Sequence, residues 1–130
     1  MKSTMPDTLE NRVKLSQFVA QEVRRDGKIA HFTSKAVEEI YTEASRIAKT
    51  VDKTNNALTL RLRNLSGLVK LSGDLAMVEK ALLVEPKHVL DAVVYARSIE
   101  EQIQEHYDSW YTAISADYSN KRHVAGRETG

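Results

Sequence analysis

Leu58-Thr59-Leu60-Arg61-Leu62-Arg63-Asn64-Leu65-Ser66-Gly67-Leu68-Val69-Lys70 is a hydrophobic run with two arginines near its start and no further cation until Lys70. Its apolar residues recur at spacings of three and four, which predicts a helix starting near Thr59 as N-cap and continuing to about Lys80. Leu60, Leu62, Leu65, Leu68, Val69, Leu71, Leu75, Ala76 and Val78 surround nearly the whole cylinder, the pattern of a central, buried helix. Gly67 and Gly73 each cost roughly 1 kcal/mol relative to alanine inside a helix, which points to close helix contact or local bending. Arg61 and Arg63 sit where the helix dipole disfavours cations. A guanidinium cannot lose its charge and forks onto carboxylate or phosphate oxygens. Two readings of the pair stand open. Either acidic residues such as Glu38 or Asp74 neutralise both arginines, or one arginine reaches a phosphate supplied by another domain.

Outward from this run, three more helices are legible. The first spans about Asp7 to Arg25, with Asp7 and Glu10 as a capping box and Leu15, Phe18, Val19 and Val23 as its apolar stripe. Gly27 suits the left-handed position that stops it. The second begins after Thr33 or Ser34 and carries Val37, Ile40, Tyr41, Ala44, Ile47, Ala48 and Val51 at helical spacing. Asp52-Lys53-Thr54-Asn55-Asn56 then reads as a polar connection. Ala81-Leu82-Leu83-Val84 is β-prone, a very short strand or an extended connector. Pro86 opens the last helix, whose stripe runs from Val89 through Ile99, Ile103, Tyr107 and Trp110 to Ile114. Ser119 to Gly130 is polar and basic and reads as a linker.

The 130 residues form one domain-sized chain with 42% hydrophobic and 28% charged content, ordinary for a soluble fold. A net charge of +1 gives no global case for nucleic acid. With no cysteine, disulfides, zinc-thiolate sites and thiol catalysis are excluded. Met1-Lys2-Ser3-Thr4-Met5-Pro6 lacks the apolar core of a signal peptide, and no run approaches the roughly 20 apolar residues of a membrane span. A soluble, cytoplasmic chain is expected. Neither GxxxxGK[ST], GxGxxG nor HExxH occurs, so the chain holds no recognisable catalytic centre of its own.

His31, His88, His106 and His123 share no ligand spacing and read as surface or helix-end residues, so no metal site is expected. Glu100, Glu101 and Glu105 read as an exposed acidic face and not as paired catalytic carboxylates. Tyr107, Trp110, Tyr111 and Tyr118 form either core or a docking surface partly buried against a neighbouring domain. Lys121, Arg122, His123 and Arg127 are a weak nucleic-acid signal, better read as part of the linker.

Several ordered segments carry a family resemblance. Val19-Ala20-Gln21-Glu22-Val23-Arg24-Arg25-Asp26-Gly27-Lys28-Ile29 with His31-Phe32 and Ala36-Val37-Glu38-Glu39-Ile40 resembles the opening of the helical lid in archaeal-type Lon proteases (LonB). Leu58 to Leu65 with Gly67-Leu68-Val69 and Gly73-Asp74 is similar to that family's central lid helix. Lys87-His88-Val89-Leu90-Asp91-Ala92 and Ser98-Ile99-Glu100-Glu101-Gln102 continue the match in order. It covers roughly residues 10–110.

The resemblance implies an all-α fold, a four-helix lid of an AAA+ module with at most one very short strand. Residues 1–6 would be a disordered or appended N-terminus, 7–118 the lid, and 119–130 a linker toward the protease domain. The full-length parent would be an ATP-dependent serine endopeptidase that uses ATP and Mg2+, assembles as a ring homo-oligomer and acts on protein substrates. Family members of this type often carry a membrane anchor, so the parent could sit on the cytoplasmic side of a membrane. The lid alone would be monomeric, would hold no cofactor tightly and would contain no catalytic residue. Aligning on the Arg-Asn-Leu that opens the central helix, Arg63 matches the family's nucleotide-contacting sensor-2 arginine, with Arg61 as the fallback. The polar loop from Thr50 to Asn56 departs from the family's usual turn, and Gly126 to Gly130 matches only loosely. Alternatives are a free-standing helical adaptor acting through the last helix's aromatics, or the lid of another AAA+ ATPase.

Overall fold

The computed structural model describes the backbone of residues 3–129 and the side chains of residues 3–116. In chain order the elements are β1 Thr4–Pro6, α1 Leu9–Asp26, α2 Ser34–Thr50, β2 Ala57–Thr59, α3 Leu62–Val78 and α4 Pro86–Thr129. The fold is thus predominantly α-helical, as expected, with one small antiparallel sheet. Two units divide the chain, Met1–Tyr95 and Ala96–Gly130. Among the described residues, no helix is long and apolar enough to cross a membrane.

In the first unit one core gathers Leu15, Val19 and Val23 of α1, Ile40 and Ala44 of α2, Leu65, Val69 and Ala76 of α3, and Val89 and Ala92 of α4. These are the positions that helical spacing marks as apolar stripes. The caps follow sequence chemistry too. Gly27 takes φ +73° and returns its N–H to the Val23 carbonyl at 3.1 Å, and Thr33 Oγ1 accepts from the Ala36 N–H at 3.1 Å. At the start of α1 the cap is Thr8, whose Oγ1 accepts from the Asn11 N–H at 3.2 Å. The expected cap, Asp7, is instead gripped by both Nε and Nη2 of Arg12 at 2.7 and 2.9 Å. A charge-assisted pair outcompetes a single backbone N–H.

The expectation of a disordered segment 1–6 is corrected at residues 4–6. Thr4 pairs with Thr59, Met5 with Leu58 and Pro6 with Ala57, and Leu60 N–H reaches the Ser3 carbonyl at 2.8 Å. All three β2 residues are buried. Their backbone groups need partners away from water, and β1 supplies them. At Ala81–Val84, where a short strand or connector is expected, only Val84 joins a single parallel bridge to Phe32. Helix α3 buries one face, Leu65, Leu68, Val69, Ser72, Gly73 and Ala76, while Leu62 and Val78 at its ends are exposed. It is less enclosed than its composition suggests. α4 runs on through residues 119–129, where a linker is expected, because no proline follows Pro86 to interrupt its hydrogen-bond ladder.

Two local arrangements define how the core closes. A Cβ built on Gly73 would lie 2.5 Å from Ile29 Cβ, so α3 and the chain leaving α1 touch with no room for a methyl group. Gly67, by contrast, faces open space. Between α3 and α4, buried His88 accepts the Glu85 N–H on Nδ1 at 2.9 Å, so Nε2 carries the ring proton and donates to Glu79 at 2.9 Å. Lys87 pairs with the same carboxylate.

Gly73→Ala should lower the midpoint of thermal unfolding, at a cost of about 1–3 kcal/mol. In an Ile29→Ala background the same Gly73→Ala substitution should cost less than it does in the unsubstituted chain. Strict additivity in calorimetry would refute the close contact. The Lys87 and His88 hydrogen bonds hold the Glu79 carboxyl below its usual range, and the Arg12 fork does the same for Asp7. Both therefore stabilise the fold above the ordinary carboxylate range, and the gain is lost as pH falls through their lowered values. Urea melts between about pH 6 and pH 2 should show a shallower acid limb in the double variant Asp7→Asn/Glu79→Gln. An acid limb identical to that of the unsubstituted chain would count against these pairs.

Candidate functional site

The site is built where β2 hands the chain to α3. Thr59, expected as the helix N-cap, lies in β2, and α3 starts only at Leu62 with Arg61 in the cap position. The Thr59 hydroxyl has other work. It donates to Asp52 Oδ2 at 3.1 Å and accepts the Arg61 N–H at 3.2 Å. Asp52 Oδ1 in turn accepts from Arg61 Nε at 3.0 Å and Nη2 at 2.9 Å. The Asp52 side chain is only 1% exposed, whereas that of Arg61 is 45% exposed. One buried carboxylate thus satisfies a hydroxyl and a guanidinium together, as an ionised group away from water must.

This geometry separates the two arginines that the sequence leaves equivalent. Arg61 is a structural ion pair, but with Asp52 and not with Glu38 or Asp74. Asp52 belongs to the loop that reads from sequence as connection alone. Lys53 and Asn56 there adopt φ of +56° and +53°, and this left-handed backbone carries the loop from the end of α2 to β2. Asparagine tolerates that region better than lysine does. No periodicity marks Asp52. Its spacing from Thr59 and Arg61 gains meaning only once the loop folds back.

Arg63, on the first turn of α3, is exposed and has no hydrogen bond or ion pair among the described residues. The helix start offers it no compensation. α3 has no side-chain cap and no acidic residue in its first turn. The Leu62, Asn64 and Leu65 N–H groups already bond the Leu60 and Arg61 carbonyls, so it is the unpaired Arg63 guanidinium that favours an anion here. Three and seven residues on, Ser66 and Lys70 line a cleft against Glu22, Arg25 and Asp26 of α1. Ser66 Oγ donates to Glu22 Oε2 at 2.9 Å, so this part of the face is tied into the fold.

Other candidates fall elsewhere. His31 and His106 are exposed and His88 is buried, while His123 lies outside the residues whose side chains are described. Among the described residues no three His, Asp or Glu side chains converge as a ligand set. Glu100, Glu101 and Glu105 are exposed on α4. So are Tyr107, Trp110 and Tyr111, which decides the core-or-surface question for these three within the second unit. The side chains of Tyr118, Lys121, Arg122 and Arg127 lie outside the described residues.

No protein-family model matches the chain. It is 46% identical over 125 residues to a putative Lon protease homologue of Methanothermobacter thermautotrophicus, covering 96% of this chain and 25% of that protein. To the archaeal Lon protease of Thermococcus kodakarensis it is 48% identical over 118 residues, 91% of this chain and 17% of the relative. A second protein of M. thermautotrophicus, an archaeal Lon protease, is 53% identical over 107 residues, 82% and 16% of the two lengths. This chain is a homologue of one segment of the archaeal Lon proteases. It spans a quarter or less of these relatives. The family resemblance of the sequence is thereby confirmed, and Arg61 and Arg63 are two cations of a Lon-like segment with different local fates.

The two arginines and their acid should separate in stability measurements. Asp52→Ala strips both partners of a buried carboxylate and should cost about 1–3 kcal/mol by chemical denaturation. Arg63→Ala should stay within about 0.5 kcal/mol, as an exposed unpaired residue does. Equal losses would mean that Arg63 has a structural partner after all.

Proposed function

We propose that this chain is the helical lid of the AAA+ module in a Lon-type, ATP-dependent serine protease, and that Arg63 is its nucleotide sensor. The observation that carries the reading is the inequality of the two arginines. Asp52 neutralises Arg61, whereas Arg63 remains an exposed fork at an uncapped helix start with no anionic partner among the described residues. A phosphate supplied by the preceding ATPase subdomain would complete that site. Guanidinium geometry suits phosphate oxygens.

In the parent, ATP and Mg2+ are held by the α/β subdomain, and the Ser-Lys protease dyad lies in a further domain. Arg63 donates to the γ-phosphate in the ATP state and loses that partner after hydrolysis. Because α3 is packed through Leu65, Leu68, Val69 and Ala76, a pull on its first turn moves the packed unit and not one side chain. Repeated around a ring of identical subunits on the cytoplasmic side, this motion couples ATP turnover to unfolding and degradation of protein substrates.

In the full-length parent, Arg63→Ala should lower ATPase turnover at least tenfold, with Arg63→Lys intermediate and the thermal unfolding of the segment unchanged. Unaltered turnover would remove Arg63 from the role and return it to Arg61. Loss of turnover together with loss of folding would mark Arg63 as structural.

A further inference from the structure

We propose that Asp52 is a positioning residue for the nucleotide sensor: acting through Thr59 and Arg61, it holds the first turn of α3 in the orientation from which Arg63 meets a γ-phosphate. The inference rests on the sensor reading above and adds to it a residue that itself touches no nucleotide. An arginine aims only as well as the backbone that carries it. Arg63 is exposed and makes no hydrogen bond or ion pair among the described residues, so its backbone is what directs it. α3 has no side-chain cap, and its N-cap residue is Arg61, two positions before the sensor.

Arg61 is held through main chain and side chain alike. Its N–H donates to Thr59 Oγ1 at 3.2 Å, and its carbonyl accepts from the Asn64 and Leu65 N–H groups at 3.1 and 3.2 Å. Its Nε and Nη2 both donate to Asp52 Oδ1, at 3.0 and 2.9 Å. Asp52 is in turn fixed to α2. Its N–H donates to the Ile47 carbonyl at 3.2 Å, and its carbonyl accepts the Thr54 hydroxyl at 3.0 Å. The Thr54 N–H bonds the Ala48 carbonyl at 2.8 Å. Ile47 and Ala48 are buried core residues. The Asp52 carboxylate therefore carries position from the core end of α2 to the start of α3.

Two features point beyond plain stabilisation. The loop that presents Asp52 takes left-handed backbone at two residues that are not glycine, Lys53 at φ +56° and Asn56 at φ +53°. Such conformations cost energy and persist where the surrounding structure demands them. Burying a carboxylate is also a poor route to stability, since well-packed apolar residues often serve as well or better. What a hydrogen-bonded array adds is direction. A group held out of place by about 1 Å can lose on the order of a hundredfold in rate, so the residues that support a reacting group count as well as those that touch it.

The test uses Asp52→Asn, Thr59→Val and Thr59→Ser in the full-length parent, with ATP turnover and the affinities for ATPγS and ADP as readouts. Asparagine keeps the shape and withdraws the charge, valine removes the hydroxyl, and serine retains it. Asp52→Asn and Thr59→Val should each lower turnover, and the ratio of ATPγS to ADP affinity, roughly tenfold. ADP affinity should hold, because ADP lacks the phosphate that Arg63 meets, and Thr59→Ser should stay close to the parent. In an Arg63→Ala background Asp52→Asn should add no further loss. A merely structural role would weaken ATPγS and ADP together and act with or without Arg63, and either result would overturn the proposal. Full turnover in Asp52→Asn would do the same. Should Asp52→Asn unfold the segment by circular dichroism, the Thr59 pair decides: equal losses in valine and serine variants overturn the positioning role. Failure of the sensor reading shows separately, as an ATPγS to ADP ratio indifferent to Arg63→Ala.

Discussion

The buried carboxylate of Asp52 is the constraint on which the start of α3 depends. An ionised group 1% exposed must be fully engaged by donors. Here the donors come from two places in the chain, the Thr59 hydroxyl on β2 and the Arg61 guanidinium at the head of α3. To meet those demands the loop after α2 takes left-handed backbone at Lys53 and Asn56. β2 must then lie deep enough for Thr59 to be buried, and β1 must cover its backbone. The small sheet is therefore part of the apparatus that fixes where α3 begins.

Fixing that beginning has a consequence for charge. Once Arg61 is neutralised, the first turn of α3 carries one uncompensated cation, Arg63, against an unfavourable dipole. The far end of α3 is tied differently. Glu79 is held by Lys87 and His88, so α3 and α4 are joined by polar contacts where they meet. Between these ends Gly73 lets Ile29 approach to a distance that no other residue allows. A helix gripped at both ends and in the middle transmits displacement as a body.

Helical periodicity made most of the fold legible. Leu15, Val19 and Val23, Ile40 and Ala44, and Val89 and Ala92 were core candidates by spacing and are core in the structure. Thr33, Gly27 and Pro86 mark boundaries because their chemistry is local. Long-range pairings were not legible. Three residues at Thr4–Pro6 carry too little pattern to announce a strand, and their partners lie more than 50 residues away. Thr59 looked like an N-cap because a hydroxyl before a helical run usually is one. Its hydroxyl was claimed by Asp52 instead.

By itself, then, the sequence determined an α-helical chain without thiol chemistry, its apolar faces, its kinship with archaeal Lon segments, and two arginines in need of an anion. Only the tertiary structure decided which arginine already has one. The reason is physical: helical periodicity is written in neighbours three and four residues apart, whereas Asp52 meets Arg61 through a folded loop and a strand. Nothing local to either residue encodes that meeting.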